Sequence, residues 1–299
     1  MFNKIIQSKT AWQIFDKAGL EGFGVNLIRL YFPIYYDKKI FRDSFSIKVK
    51  NQITDLLDAH TILNKYEERI LSAIPEILEL PKAEDTSEKP YLENYYFGIF
   101  DAAILCAMMQ TYQPAKLIEI GSGISTRYMK LFKNRYALKT EIICIDPHPR
   151  ADIKHAADII IPLPLEDALE NSTFDLQSGD ILFMDGSHYV YQGNDTLTFF
   201  FKILPSLPSG VIIHIHDIYL PFDYSQNISQ HLWTEQYILA AMLLGGLKDF
   251  EILYPAFYMS QTNKNVKKKL AEVTYKLNDK NFKIEINHTA GFSFWMKKR

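Results

Sequence analysis

The segment Lys116–Thr126, KLIEIGSGIST, constrains the fold of this chain more than any other stretch. A short, mostly apolar run of strand type leads directly into Gly121-Ser122-Gly123, and a helix-like pattern with Tyr128, Met129 and Phe132 follows. A glycine loop between a strand and a helix lets backbone N–H groups approach a ligand closely at the helix N-terminus. From Tyr91 onward the same alternation recurs, which predicts strands over 116–120, 141–146, 158–163, 181–185, 211–217, 250–254 and 292–296. The early runs are almost wholly apolar, as parallel strands covered on both faces must be. A helical stretch from Val266 to Leu277, followed by Lys283–Ile286, lets the C-terminus fold back as an antiparallel strand. The expected architecture is α/β, a doubly wound and mostly parallel seven-strand sheet.

Ahead of the alternation, Ile62, Tyr66, Ile70, Ile74 and Ile77 recur at spacings of three or four, one apolar face of a helix that Pro75 should break or kink. The polar segment from Pro81 to Pro90 reads as a linker. Residues 1–88 are therefore expected to form a helical cap, and 89–299 the sheet domain. With 47% hydrophobic residues the chain can bury a large core. Its 33 basic and 35 acidic side chains leave a net charge of −2, which offers no field for nucleic acid or an anionic membrane. The lysines at 264, 267, 268 and 269 read as a solvated helix face. Cys106 and Cys144 form no CxxC pair, so neither a disulfide framework nor a thiolate zinc cage is expected. The N-terminus lacks a continuous apolar leader, and the longest apolar run, Tyr237–Leu247, is well short of the ~20 residues that span a bilayer. A cytoplasmic protein acting on a small molecule is the expectation, with a homo-oligomer left open.

The ligand of the glycine loop can be narrowed by elimination. A dinucleotide fingerprint wants glycine or alanine where this chain has Thr126, and the GxxxxGK[ST] phosphate loop is absent. What remains is Glu119 two residues before the first glycine and a second acid, Asp146, at the end of the next strand. This pattern resembles the class I S-adenosylmethionine-dependent methyltransferases, a Rossmann-like family. The resemblance implies that Glu119, Gly121, Ser122 and Gly123, with Ser125 and Asp185 beside them, surround the cofactor, and that Asp146 accepts from both ribose hydroxyls. An ionised carboxylate suits that task. Pro147 and His148 would lie at the adenine edge or form a simple turn. The segments LIEIGSGIST, CIDPHPR, GDILFMDGSH, IHIHDIYLPFDY and LWTEQYILAAML together resemble bacterial small-molecule methyltransferases related to the macrocin-type and catechol-type O-methyltransferases.

In a doubly wound sheet, ligands bind outside the carboxyl ends of the strands at the switch point. The catalytic candidates are thus Asp185, His188, His216 and Asp217. The related O-methyltransferases carry an acidic pair where this chain has His216-Asp217, so the metal is an open question, with Asp185, His216 and Asp217 as candidate ligands. Carboxylates and amides suit magnesium, whereas imidazoles suit zinc, iron, nickel or no metal. Without one, His188 or His216, at an unperturbed pKa of ~6.5, would serve as general base. Strand alternation puts His214 on the face of His216 but ~6.6 Å deeper, as a core histidine, and turns Asp217 to the other side. Tyr96 and Asp101 either reach the cofactor or belong to a packed helix. Tyr219–Tyr237, with Trp233 and Glu235, reads as an aromatic acceptor lid or as ordinary loop packing.

The expected activity is transfer of the S-adenosylmethionine methyl to a hydroxyl of a small molecule, such as a sugar or secondary metabolite. An amine acceptor is the nearest alternative. A metal-dependent hydrolase or oxygenase built on His214-Ile-His216-Asp217 would need a third ligand at another strand end, and a non-catalytic cofactor-binding protein would keep only the loop.

Overall fold

The computed structural model describes residues 43–60, 65–86, 88–171, 174–225, 228–279 and 290–299. The chain divides into two compact units, one of Met1–Ser46 with Phe222–Trp233, the other of Ile47–Pro221 with Thr234–Arg299. In the first, the Ser44 N–H donates to the Asp223 carboxylate, and the Trp233 ring stacks on His231 and meets Tyr224 edge-on. Trp233 therefore belongs to this unit, while Tyr219, Glu235 and Tyr237 of the expected lid belong to the other. Ile62 and 283–286 lie outside the described residues.

The second unit is built on a seven-strand sheet: β1 Lys116–Ile120, β2 Glu141–Ile145, β3 Ile159–Ile161, β4 Ile181–Met184, β5 Ile212–Ile215, β6 Phe250–Pro255 and β7 Phe294–Lys298. Their order is β3-β2-β1-β4-β5-β7-β6, parallel except where β7 runs against both β5 and β6. All four residues of β4 and of β5 are buried, which is why these strands read as apolar runs, interrupted by His214 alone, instead of alternating ones. β1 and β4 are neighbours although the chain moved outward through β2 and β3 between them, and this reversal creates the switch point.

The helices follow the same logic. In α1 (Ile47–His60), Ile53 and Leu57 are buried four residues apart. α2 (Glu67–Ile77) buries Ile70, Ala73, Ile74 and Ile77, and ends two residues beyond Pro75. α3 (Ile99–Tyr112) is apolar all round and is buried without a break from Ile99 to Met109, packed against α2 and α4 (Ile124–Arg135). The expected linker is clasped instead of free. The Arg127 guanidinium, 1% exposed, donates to Glu84 Oε1 at 2.7 Å and to the carbonyls of Thr86 and Lys89, and Leu92 and Glu93 pair back to Pro81 and Lys82. A buried guanidinium has to be paired, and this segment supplies the partners. In the C-terminal helix Lys264–Asp279 the apolar face of Val266, Leu270, Val273 and Leu277 is buried, which leaves Lys264, Lys267 and Lys268 exposed.

Phe183 on β4 ties this core together, stacking on His214 at 3.6 Å between ring centroids and approaching Phe97 and Trp295. Phe183→Ala should lower stability by about 3–5 kcal/mol in denaturant unfolding, the range for an aromatic removed from a close-packed core.

Candidate active site

The glycine loop is shaped from three sides. Gly121 sits at φ +79°, and its N–H donates to Ile145 O at 3.1 Å. A Cβ there would stand 1.8 Å from the Asp185 carbonyl oxygen, so the ends of β1 and β4 touch backbone to backbone. Gly123 differs: its backbone is extended, and an added Cβ would meet only Arg150 Cβ at 3.9 Å. Packing demands a glycine at 121, while at 123 the missing side chain leaves room above the N-terminus of α4.

Glu119 is completely buried beneath the loop. The hydroxyls of Ser125 and Thr126 donate to its two oxygens, and the Cys144 thiol donates to Oε2 at 3.3 Å. Glu119 and Ser125 thus engage each other in the interior, and neither is presented to solvent. Burial, with a smaller push from the Asp185 charge, raises the Glu119 pKa to about 8. Asp146, half-buried one residue past β2, is held by two neighbouring turns. The Ser122 N–H donates to its Oδ2 at 2.7 Å and the His148 N–H to its Oδ1 at 2.7 Å. The Ser122 hydroxyl also donates to Oδ2 at 3.2 Å, so Oδ1 alone keeps a further lone pair. His148 therefore contributes its backbone, in the turn that was one of the two expectations, and Tyr96 is half exposed with the Arg150 guanidinium over its ring.

Beside the loop, four carboxylates surround two imidazoles. His216 Nδ1 lies 3.6 Å from both Asp185 Oδ1 and Asp217 Oδ1, and its Nε2 lies 3.7 Å from Asp101 Oδ2. His188 Nε2 stands 3.4 Å from Asp185 Oδ1 and 3.5 Å from Asp217 Oδ2, while Nδ1 is hydrogen-bonded to Glu235. All four predicted catalytic residues are brought together. The expectation that Asp217 turns to the other face is corrected. β5 ends at Ile215, and Asp217 adopts φ +56°, so a left-handed turn replaces strand alternation and returns the carboxylate to His216. His214 is the core histidine that the strand geometry implies, with Nε2 on Ser293 Oγ at 2.9 Å, and burial holds its pKa well below the usual range.

The unperturbed imidazole value assumed for a general base is also corrected. Although burial opposes the charged form, the Glu235 carboxylate, with Asp217 and Asp185, pushes His188 up to about 9. Asp185 and Asp217 hold His216 well above its usual value, and the two histidines hold Asp185 well below the usual carboxylate range. Sequence reasoning missed Asp101 and Glu235 as members of the cluster. Asp101 comes from the first turn of α3, and Glu235 opens the helix Glu235–Leu244. The Thr234 N–H donates to His188 O at 2.8 Å, which ties that helix start to the loop after β4. The sequence offered Asp101 as a residue near the cofactor or in a packed helix and Glu235 as part of a lid, without joining either to a histidine.

Residues 118–218 match the family model of a methyltransferase domain. No curated protein sequence matches the chain significantly. Among solved structures, the plantazolicin methyltransferase BpumL in complex with a monoazolic desmethylPZN analogue and SAH is 11% identical, over 96% of this chain and 100% of that one, with a TM-score of 0.41. A Klebsiella pneumoniae protein assigned as an O-methyltransferase is 10% identical over 84% and 98%, with a TM-score of 0.37. Coclaurine N-methyltransferase bound to N-methylheliamine and SAH is 11% identical over 84% and 93%, at 0.31. No helix among the described residues is long and apolar enough to cross a membrane.

Two predictions follow from the loop. Gly121→Ala should cost about 3 kcal/mol or more in thermal or urea unfolding, because strain at positive φ adds to a backbone clash, whereas Gly123→Ala should stay within about 1 kcal/mol. Because the folded Glu119 keeps its proton up to about pH 8 while the unfolded chain releases it near 4.5, its contribution to stability falls as pH rises between those values. Glu119→Gln should therefore gain on the wild type by a few kcal/mol, as an order of magnitude, between pH 5 and pH 8.5, read as the difference between the two stability–pH curves.

Proposed function

On a chain that carries a class I S-adenosylmethionine-dependent methyltransferase domain, we propose transfer of the methyl group to a hydroxyl of a small molecule at the Asp185–His188–His216–Asp217 cluster. The observation that carries this reading is the contact between Gly121 and the Asp185 backbone, which puts the glycine loop and the acid–imidazole cluster side by side at the switch point. In this reading Gly121, Ser122 and Gly123 offer backbone to the methionine part of the cofactor. Asp146 takes the ribose hydroxyls, one on the free lone pair of Oδ1 and one on Oδ2 in the place that the Ser122 hydroxyl holds. Glu119 and Ser125 act from beneath, by holding the loop. The catalytic sheet lies within 89–299, and α1 and α2 belong to the same compact unit as that sheet.

The chemistry balances as a single displacement. The acceptor oxygen attacks the sulfonium methyl in line, the O–C bond forms as the S–C bond breaks, S-adenosylhomocysteine leaves neutral, and the hydroxyl proton passes to the cluster. Asp185 and Asp217 share the proton-handling groups, and His188 is held with Nε2 toward them by Glu235. The excess of carboxylates over imidazoles also suits a cationic amine, so amine acceptors are the second reading. The third ligand that a metal hydrolase would need is present in Asp185, yet such an enzyme has no use for the loop and Asp146.

Calorimetry with S-adenosylmethionine and S-adenosylhomocysteine should show binding with 1:1 stoichiometry; silence at millimolar cofactor would sink the proposal. Asp146→Ala should weaken that binding about tenfold to hundredfold, the worth of hydrogen bonds to a charged group. Release of S-adenosylhomocysteine in the presence of panels of small alcohols, phenols, sugars and amines then decides between oxygen and nitrogen acceptors.

A further inference from the structure

We propose that Glu235 and Gln236, adjacent residues at the start of one helix, are positioning residues of the active site: Glu235 holds the ring of His188, and Gln236 holds the turn that carries Asp217. One helix start thereby fixes the spacing of two groups that different strands deliver. The role in a reaction rests on the methyl-transfer reading; the clamp itself does not.

His188 and Asp217 both sit on backbone that is uncommon for residues other than glycine. His188 has φ +64° in the loop after β4, and Asp217 has φ +56° in the turn after β5. Such conformations persist where the surroundings over-determine them, and they gather at active sites. Here a single helix start grips both. The N–H groups of Thr234 and Glu235 donate to His188 O at 2.8 and 3.2 Å, and the Val190 N–H donates to Thr234 Oγ1 at 2.8 Å. The Glu235 carboxylate takes His188 Nδ1. Two residues past Asp217, the Tyr219 N–H donates to Gln236 Oε1 at 3.0 Å. Successive residues on a helix point about 100° apart, which lets neighbours in sequence reach two different turns.

Stability alone is a poor reason for this arrangement. Glu235 and Gln236 are both buried, and a carboxyl and an amide in the interior must be paired to offset their lost hydration. Their hydrogen bonds go to the two turns, and the result is geometric. With Nδ1 engaged by Glu235, the His188 ring presents Nε2, which stands 3.4 Å from Asp185 Oδ1 and 3.5 Å from Asp217 Oδ2. A ring released from Glu235 could turn over and exchange its nitrogens. The Asp217 turn is also held from its far side, where the Ile218 N–H donates to Phe292 O at 2.9 Å, so replacing Gln236 should loosen the turn without unfolding it. Groups that meet a reacting centre have to be held this closely, because misplacement by about 1 Å can slow a reaction about 100-fold.

The test compares the full-length wild type with Glu235→Ala, Glu235→Gln and Gln236→Ala, with folding checked by circular dichroism. Nuclear magnetic resonance of isotope-labelled histidine rings, with His188 assigned through His188→Gln, needs no acceptor. The hydrogen-bonded Nδ1 signal of His188 should vanish in Glu235→Ala and persist in Glu235→Gln, whose amide oxygen still accepts. Gln236→Ala should shift the Nε2 signal of His188 by loosening Asp217. With an acceptor from the panel, Glu235→Ala should lower kcat about 100-fold with KM changed less than about threefold, and Glu235→Gln should recover most of the loss. An unchanged His188 spectrum in Glu235→Ala or in Gln236→Ala, or a kcat loss that Glu235→Gln does not recover, overturns the proposal. If Glu235→Ala does not fold, the spectrum of Gln236→Ala decides. Cofactor calorimetry is run separately: the expected spectra without cofactor binding would sink the methyl-transfer reading and leave the clamp standing, and cofactor binding with unchanged spectra would do the reverse.

Discussion

The close approach of Gly121 to the Asp185 carbonyl is the constraint on which the site depends. β1 and β4 are adjacent only because the sheet reverses direction there, and their ends converge tightly enough that no side chain fits at 121. The Asp185 N–H donates to Ile120 O at 2.8 Å, which extends the pairing one step past the strands. One contact thereby joins the loop that would hold a cofactor to the first residue of the cluster that would hold an acceptor. Methyl transfer needs both reactants within bond-forming reach, and a rigid backbone junction supplies that proximity at little entropic cost during the reaction.

Electrostatics divides the acids around this junction into two kinds. Among the described residues, Glu119 is met by hydroxyls and a thiol and by no cation, so burial prevails and raises its pKa to about 8. Asp185, with its side chain 22% exposed, has two imidazoles within 3.6 Å, and their charge outweighs its burial. The same functional group, a carboxyl, thus ends in opposite states at the ends of neighbouring strands. The decisive variable is whether a partner of opposite charge has been brought in from another element.

The strands were legible because burial on both faces leaves an unmistakable run of apolar residues, and each expected strand overlaps an observed one. The positions of Glu119, Gly121, Ser122 and Asp146 in the fold were legible for a related reason: a loop between strand and helix, and an acid just past the next strand, are local patterns. Asp101 and Glu235 were not. Asp101 looks like an ordinary first-turn acid of α3, and Glu235 like that of the helix it opens. Their meaning lies in histidines more than 45 residues away, a distance that only packing can close. The side to which Asp217 points was misjudged because alternation holds only while a strand lasts, and β5 stops two residues earlier.

By itself, then, the sequence determined the layer architecture, the glycine loop and which strand ends carry polar groups, since all of these follow from hydrophobic periodicity and backbone stereochemistry over a few residues. Tertiary structure alone decided that Asp101 backs His216 and that Glu235 backs His188. It also decided that Glu119 serves from below, and that Asp185, His216 and Asp217 converge on one point. Those outcomes depend on pairwise distances between elements remote in the chain. Such distances set burial, charge and donor geometry, and local composition carries no record of them.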